Sequence, residues 1–428
     1  MPSIQRVRPA GKRKKKVLGP ARTLGRDQFE AMDLNGRVEA IRSLTQIGLM
    51  HVAEEIDRDV LELAGPRYRR KGEDFAYRRH GTNPGSVRLA GQRMAVRVPR
   101  VRGPEGEVQL PSYEAFHSGT EFSEAGFRRV LYGVSCRNYE AAAEAVPGAI
   151  GLSSSTVSRQ FKEVSKARLK EFQERDLSGF DVVSIVMDGK SFADDEMVLA
   201  VGVTESGEKV MLGFVQTATE NSPVIKAFLR SLVDRGLDVS QGVLVVIDGS
   251  TGFRAGVRQA FKKVALVQRC QWHKRENVVK HVAKCEQAHW RKRLQRAYER
   301  PTYAEAMREL KKIHRELLEI NISAARSLEE GLEETLTLHR LGVFAQLGIS
   351  LKTSNCIESI NSMAEGICGK VDRWRNSDQK HRWFAAALLD IEPRLRRVRG
   401  YRHLPKLRAA LIRELRIKVD DVTISKAA

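Results

Sequence analysis

The chain has 428 residues, a mass of 48.1 kDa and 42% hydrophobic residues, enough for a packed core and roughly two to four domains. Its net charge of +21 and pI near 9.9 fall in runs of Lys and Arg, which points to a polyanion as partner and away from an evenly solvated surface. Five cysteines (Cys136, Cys270, Cys285, Cys356 and Cys368) without a regular framework exclude a disulfide scaffold, and no run reaches the ~18 apolar residues of a membrane span, so a cytoplasmic protein is expected.

Residues 1–26 are polar and basic around Gly11–Lys16, with no apolar stretch of a signal peptide, and are expected to form a disordered arm. From Leu34 to Leu63 apolar residues recur at helical spacing (Val38, Ile41, Leu44, Ile47, Val52, Ile56, Val60), and Gly65-Pro66 ends the run. Arg67–His80 mixes cations with aromatics and reads as an irregular basic loop. Ser86–Val101 alternates as a hairpin: Val87, Leu89, Met94, Val96 and Val98 share one face, and Arg88, Arg93 and Arg97 the other, where they suit phosphate contact or simple solvation.

Asn138–Val146 is Ala-rich and helical, Pro147-Gly148 breaks it, and Ser153–Ser155 offer a cap to a second helix. That helix carries Val157, Phe161 and Val164 on one side and Arg159, Gln160, Lys162 and Lys166 on the other. A helix, a short turn and a capped helix with early polar residues is the helix-turn-helix pattern, though a plain helical hairpin shares it.

Composition changes at Phe180. Val182–Asp188, Met197–Val203 and Lys209–Val215 read as three strands, Pro223–Arg235 as a helix, Val243–Asp248 as a strand, Phe253–Val264 as a helix and Ala265–Arg269 as a fifth strand. The order β-β-β-α-β-α-β is that of ribonuclease-H-like sheets. Lys274 to about Leu341 is charged and helical, Thr353 or Ser354 can cap a helix carrying Glu358, and the stretch from Val371 onward is basic and helical.

Two apolar strands thus each deliver an Asp-Gly at their carboxyl ends, Asp188 and Asp248, where α/β sheets build sites. Asp-Gly is also an ordinary turn signal. Together, two such aspartates with a third acid on a packed helix, Glu358, make a seat for Mg²⁺. Two divalent ions about 4 Å apart can activate a nucleophile and stabilise the leaving oxygen in phosphodiester chemistry. Asp194, Asp195 and Glu196 compete as carboxylates, but as a strand start they are expected away from the site end of the sheet. Cys270 and His273 followed by Cys285 and His289 have ligand types for structural zinc; the alternative is that His273 bonds near Asp248 or a phosphate while Cys270 packs. Lys190 and Arg269 suit phosphate contact or salt bridging. Trp272, Trp290, Trp374 and Trp383 read as core, with stacking on a flipped base as the alternative for an exposed one.

Asp188-Gly189-Lys190, Ile247-Asp248-Gly249, Gln268–Lys274 with Asn277-Val278, and Thr353–Ser359 with Asn361 resemble the motifs of bacterial Mutator-type insertion-sequence transposases, over about residues 30–400. The resemblance implies a ribonuclease-H-like domain with an all-helical insertion and a DDE triad falling on Asp188, Asp248 and Glu358, with the Cys-x-x-His signature on Cys270 and His273. It also implies Mg²⁺ (Mn²⁺ as substitute) as cofactor, and strand cleavage and transfer without a covalent protein–DNA intermediate. The partners it implies are terminal inverted repeats, target DNA and a second copy of the chain, in a nucleoid-associated bacterial protein.

The expected organisation is an α+β or α/β chain. It has a basic arm at 1–26, a DNA-binding region at 27–175, a catalytic domain at 176–273 and 346–400, a helical insertion at 274–345 and a basic tail at 401–428. A noncatalytic DNA-binding regulator and a structure-specific nuclease are the rival readings.

Overall fold

A computed structural model describes residues 34–68, 76–89, 92–118, 124–137, 139, 153–192, 195–217 and 221–416, with side chains described from Leu49 onward. The basic arm, the first helix and turn of the expected helix-turn-helix, and the chain beyond 416 lie outside these residues. The chain divides into two compact units, one of residues 1–121 and 143–152, the other of residues 122–142 and 153–428.

In the first unit, helix α1 (Leu34–Ala64) is one continuous helix of 31 residues. It stops where Gly65 adopts φ +70 and its N–H returns to the Leu61 carbonyl. Strands β1 (Arg78–Leu89), β2 (Gln92–Gly103) and β3 (Gly106–Val108) form an antiparallel sheet in that order. The hairpin therefore starts within the stretch read as a basic loop, and a third strand extends it. Val87 faces Met94 across the ladder, and both are buried with Val52, Ile56 and Val60 of α1. Helix α2 (Pro111–Ser118) is pinned to α1 by Asp59, which accepts from the Ser112 backbone N–H at 2.7 Å and its hydroxyl at 2.8 Å.

The second unit is built on a sheet of β4 (Val182–Phe192), β5 (Asp195–Thr204), β6 (Lys209–Thr217), β7 (Val243–Ile247) and β8 (Ala265–Arg269) in the spatial order β6-β5-β4-β7-β8. β4, β5 and β6 pair antiparallel, whereas β7 and β8 continue parallel to β4. The unbroken apolar runs follow from burial on both faces. Alternation assigns Ile185, Met187, Val243, Val245 and Ile247 to the core shared with α5 (Ser222–Asp234) and α6 (Thr251–Phe261), through Ile225, Phe228, Leu229, Phe253 and Val257. Residues of opposite parity, Ser184, Val186 and Asp188, turn to the other face.

After β8 the chain is helical throughout the described residues. Helices α7 (Gln271–Val279), α8 (Gln287–Tyr298), α9 (Tyr303–Ile320), α10 (Ile322–Glu329), α11 (Leu332–Thr335) and α12 (Thr337–Arg340) close around Trp290, Leu294, Leu310, Ile313, Leu328 and Leu336. Then come α13 (Phe344–Leu351), α14 (Asn355–Cys368), which packs on β4, α15 (Ser377–Ile391) and α16 (Leu404–Leu415). Residues 404–415 are not a free tail: Leu404, Leu407 and Leu411 are fully buried, and Arg408 donates to the Gly242 carbonyl at 3.0 Å and the Val182 carbonyl at 3.1 Å and pairs with Asp181.

Two helices preceding the sheet also belong to this unit, α3 (Glu124–Leu131) and α4 (Ser154–Glu174). Ser153 caps α4 by accepting from the Thr156 N–H at 3.3 Å. Phe161 stacks on Phe127 of α3 with centroids 5.0 Å apart and meets Trp383 of α15 at 4.8 Å. Aromatic packing thus joins α4 to the large sheet's unit, where charge pattern alone grouped it with the N-terminal region.

Candidate active site

Parity and register bring the two aspartates together. Ser184, Ile185 and Val186 of β4 pair with Leu244, Val245 and Val246 of β7 in parallel. Continuing that register lays Asp188 beside Asp248, one strand spacing of about 4.8 Å apart in backbone; Asp248 directly follows β7, whereas β4, expected to end at Asp188, continues four residues past it to Phe192. Met187 and Ile247 point into the core, so the two carboxylates share the opposite face. Asp188 is only 7% exposed. The Asp248 carboxylate accepts from the Ser250 N–H at 2.9 Å, and Gly249 between them turns the chain at φ +118.

The third side of the site comes from the end of β8 and the start of α14. The Cys270 N–H donates to the Ile247 carbonyl at 2.7 Å, so the Cys-x-x-His begins directly beside the Asp248 strand. Cys270 is fully buried, and its Sγ caps α7 by accepting from the His273 N–H at 3.5 Å. Ser354 stands at the N-cap of α14 but does not cap it with its side chain. The Ser354 hydroxyl instead lies 3.8 Å from the Cys270 Sγ and 3.4 Å from the His273 Nδ1. The His273 Nε2 faces the Glu358 Oε1 at 3.9 Å.

His273 is therefore the group that all three carboxylates share. Burial lowers its pKa, but the Cys270 sulfur and the charges of Asp188 and Asp248 raise it by more, to about 9. A protonated ring would donate from Nδ1 to Ser354 and direct Nε2–H at Glu358. Glu358 itself is 44% exposed. Among the described residues no three His, Cys, Asp or Glu side chains are close enough to hold a metal ion as they stand. The zinc expectation for Cys270, His273, Cys285 and His289 has no geometric support among them: Cys270 is buried and committed to α7, while Cys285 is exposed. The chemistry of the donor set does fit a hard divalent cation. It consists of carboxylate oxygens, the donors such an ion takes.

Arg269 is not a phosphate contact. It is 1% exposed, and it donates to the Gly249 carbonyl at 2.7 Å and the Glu330 carbonyl at 3.0 Å, with Glu334 at 3.2 Å. It ties the turn after Asp248 to the helices that follow. Lys274 is likewise buried, donating to the Ser327 carbonyl at 2.7 Å and the Glu330 carbonyl at 2.6 Å, and burial followed by the Arg269 charge pulls its pKa down to about 8. Lys190 pairs with Glu365. Asp195 and Glu196 correct another expectation: β5 pairs antiparallel to β4, with Phe192 opposite Asp195, so they lie at the same end of the sheet as Asp188. Glu196 is opposite Ser191 and so faces away from Asp188, and Asp195 is paired with Lys380.

Of the basic residues expected on DNA, Arg159, Lys162 and Lys166 are exposed on α4 and Gln160 is half-buried. Lys162 shares a cleft of about 470 Å³ with Arg373 and Arg375, two cations that sequence reasoning left in an undivided basic region. In the other unit, Arg88 and Arg93 are directly opposite across the hairpin, and Arg93 donates to the Ser86 hydroxyl at 2.7 Å; Arg97 is exposed on the same face. Trp272, expected in the core, is 42% exposed and edge-on to His273 at 4.8 Å.

Comparison with known proteins gives the family of the chain. The model of the Mutator family of transposases matches residues 23–391. The transposase for insertion sequence element IS406 of Burkholderia multivorans is 27% identical over 84% of this chain and 91% of its own length. The transposase for IS256 in transposon Tn4001 of Staphylococcus aureus is 25% identical over 70% of this chain and 77% of its own. The transposase for IS6120 of Mycolicibacterium smegmatis is 32% identical over 35% of this chain, a match spanning 47% of that relative. With the family model spanning most of its length, the chain belongs to the Mutator family of transposases.

Proposed function

We propose that the chain cleaves and transfers DNA strands at the ends of an insertion sequence, using a ribonuclease-H-like sheet and a DDE triad of Asp188, Asp248 and Glu358. The observation that carries this reading is the register that lays Asp188 beside Asp248 on one face, with His273 and Glu358 against it. The three acids would hold magnesium, which when bound supplies an activated oxygen nucleophile and charge stabilisation on the leaving oxygen. His273 balances the excess charge and holds Glu358 in reach. Arg269 and Lys274 fix the turn after Asp248 and the base of the helical segment, so the acids are presented on rigid elements.

The cations of α4 and of the β1–β2 hairpin would bind the terminal inverted repeats, the first through a helix-turn-helix, and two copies of the chain would act on the two element ends. Asp188→Asn, Asp248→Asn and Glu358→Gln should each reduce Mg²⁺-dependent nicking of repeat-bearing DNA to background while leaving its binding intact. Nicking that survives all three changes rejects the triad. Nicking with no dependence on the repeat moves the chain to a structure-specific nuclease on the same fold.

A further inference from the structure

A small cavity of about 130 Å³ opens beside the candidate active site. Its walls are Phe192 and Met197 of the β4–β5 hairpin, Trp374 of the loop after α14, and Phe384 of α15; Asn361 of α14 supplies its polar edge, and Lys190 with Glu365 stands at the rim. The rings are arranged around Phe192, with centroids 5.1 Å from Trp374 and 5.3 Å from Phe384. We propose that this cavity receives a single unstacked nucleobase of the DNA strand that lies on the active site, its ring against Phe192 and Trp374 and its edge on Asn361.

Four observations converge on that occupant. First, the volume is close to the ~150 Å³ that admits one benzene ring, the size class of a single six-membered ring and not of two stacked ones. Second, aromatic faces stack on any base, while a carboxamide offers both a donor and an acceptor to a base edge. Third, the cavity continues the active site: Lys190 follows Asp188 by two on one face of β4, and Asn361 and Glu365 follow Glu358 by three and seven on one face of α14, about 10 Å along the helix. Fourth, the residues on either side of Trp374 in sequence, Arg373 and Arg375, line the basic cleft with Lys162. One loop thus presents cations to phosphates and an indole to a base, the combination that single-strand binding sites use. The identity of the strand as substrate rests on the proposed DNA chemistry; the pocket's affinity for a base does not.

The test is photocrosslinking of the full chain, without divalent metal, to single-stranded oligodeoxynucleotides carrying 5-iodouracil, with the adduct mapped by mass spectrometry. The adduct should map to Trp374 or Phe192. Trp374→Ala should lower crosslink yield and oligonucleotide affinity by about tenfold, and Trp374→Tyr should retain both. Asn361→Leu, which keeps the packing, should lower the yield with an unchanged thermal melt and serves if Trp374→Ala does not fold. Adducts confined to Trp272 or elsewhere, or yields indifferent to both variants, overturn the pocket. The two readings separate cleanly: adducts at Trp374 without any Mg²⁺-dependent nicking keep the pocket and remove the cleavage assignment, and the reverse outcome does the opposite.

Discussion

At the scale of single residues, the second unit buries a cluster of polar contacts where the five-stranded sheet meets the helices after it. Arg269 has its guanidinium enclosed between Gly249, Glu330 and Glu334. Arg269→Met should destabilise the unit by about 1–3 kcal/mol in urea denaturation, because the Gly249 carbonyl loses its donor, whereas Glu334 keeps Arg254 and Arg258 and the Glu330 carbonyl keeps Lys274. A loss below about 1 kcal/mol would mean that these groups find water instead. His339 tests the same segment by pH. Its Nε2–H donates to the Tyr298 and Arg300 carbonyls at 3.1 Å each, and its ring stacks on Phe344. Burial, opposed by those carbonyls and aided by the Lys352 charge, lowers its pKa from 6.5 to about 4. As pH falls below 6.5 the unfolded chain takes up a proton that the folded chain refuses. Stability is therefore lost between pH 6.5 and 4, at up to ~1.4 kcal/mol per pH unit, and levels off below. His339→Gln should remove that component from the pH dependence of thermal unfolding; identical wild-type and variant profiles would place the ring in water.

At the scale of elements, the outcome was set by partners rather than by propensity. Ser354 sits at a capping position, yet its hydroxyl serves Cys270 and His273, so a start signal for α14 doubles as part of the site. The β4–β5 hairpin carries its strands beyond Asp188 and brings Asp195 and Glu196 to the site end of the sheet; pleat parity turns Glu196 aside and Lys380 engages Asp195. Helix α16 looks like a basic tail by composition but buries a leucine stripe at 404, 407 and 411. Leu411→Ala should cost about 2–5 kcal/mol, measured by denaturant melts, and truncation before Leu404 should cost more. A chain cut there that melts as the intact one does would show α16 to be dispensable.

At the scale of the whole molecule, a net charge of +21 makes DNA affinity a function of salt. Arg373→Ala and Arg375→Ala should each flatten the slope of log affinity against log salt by about 1, whereas Arg269→Met should leave it unchanged, since that guanidinium is already enclosed. A slope insensitive to Arg373 and Arg375 would take the basic cleft off the DNA path. The strand order, Asp248 at the end of its strand and the helical stretch before Glu358 were legible from local patterns, whereas the strand of Asp188 runs four residues further than its Asp-Gly suggested. Apolar runs, Asp-Gly ends and helical periodicity are written in neighbouring residues, and the motifs around them carried the family. Sequence alone could not choose between phosphate contact and salt bridging for Arg269, which the helices after β8 decide by enclosing it with Glu330 and Glu334, and it read the exposed Trp272 as core. Nor could it join Trp374 to Phe192, or Lys162 to Arg373, because those contacts connect segments about two hundred residues apart. Local order determined which elements exist and which end of the sheet is acidic. Only the packing of those elements, through parallel register, pleat parity and long-range burial, decided which of the many charges face one another and which are left for DNA.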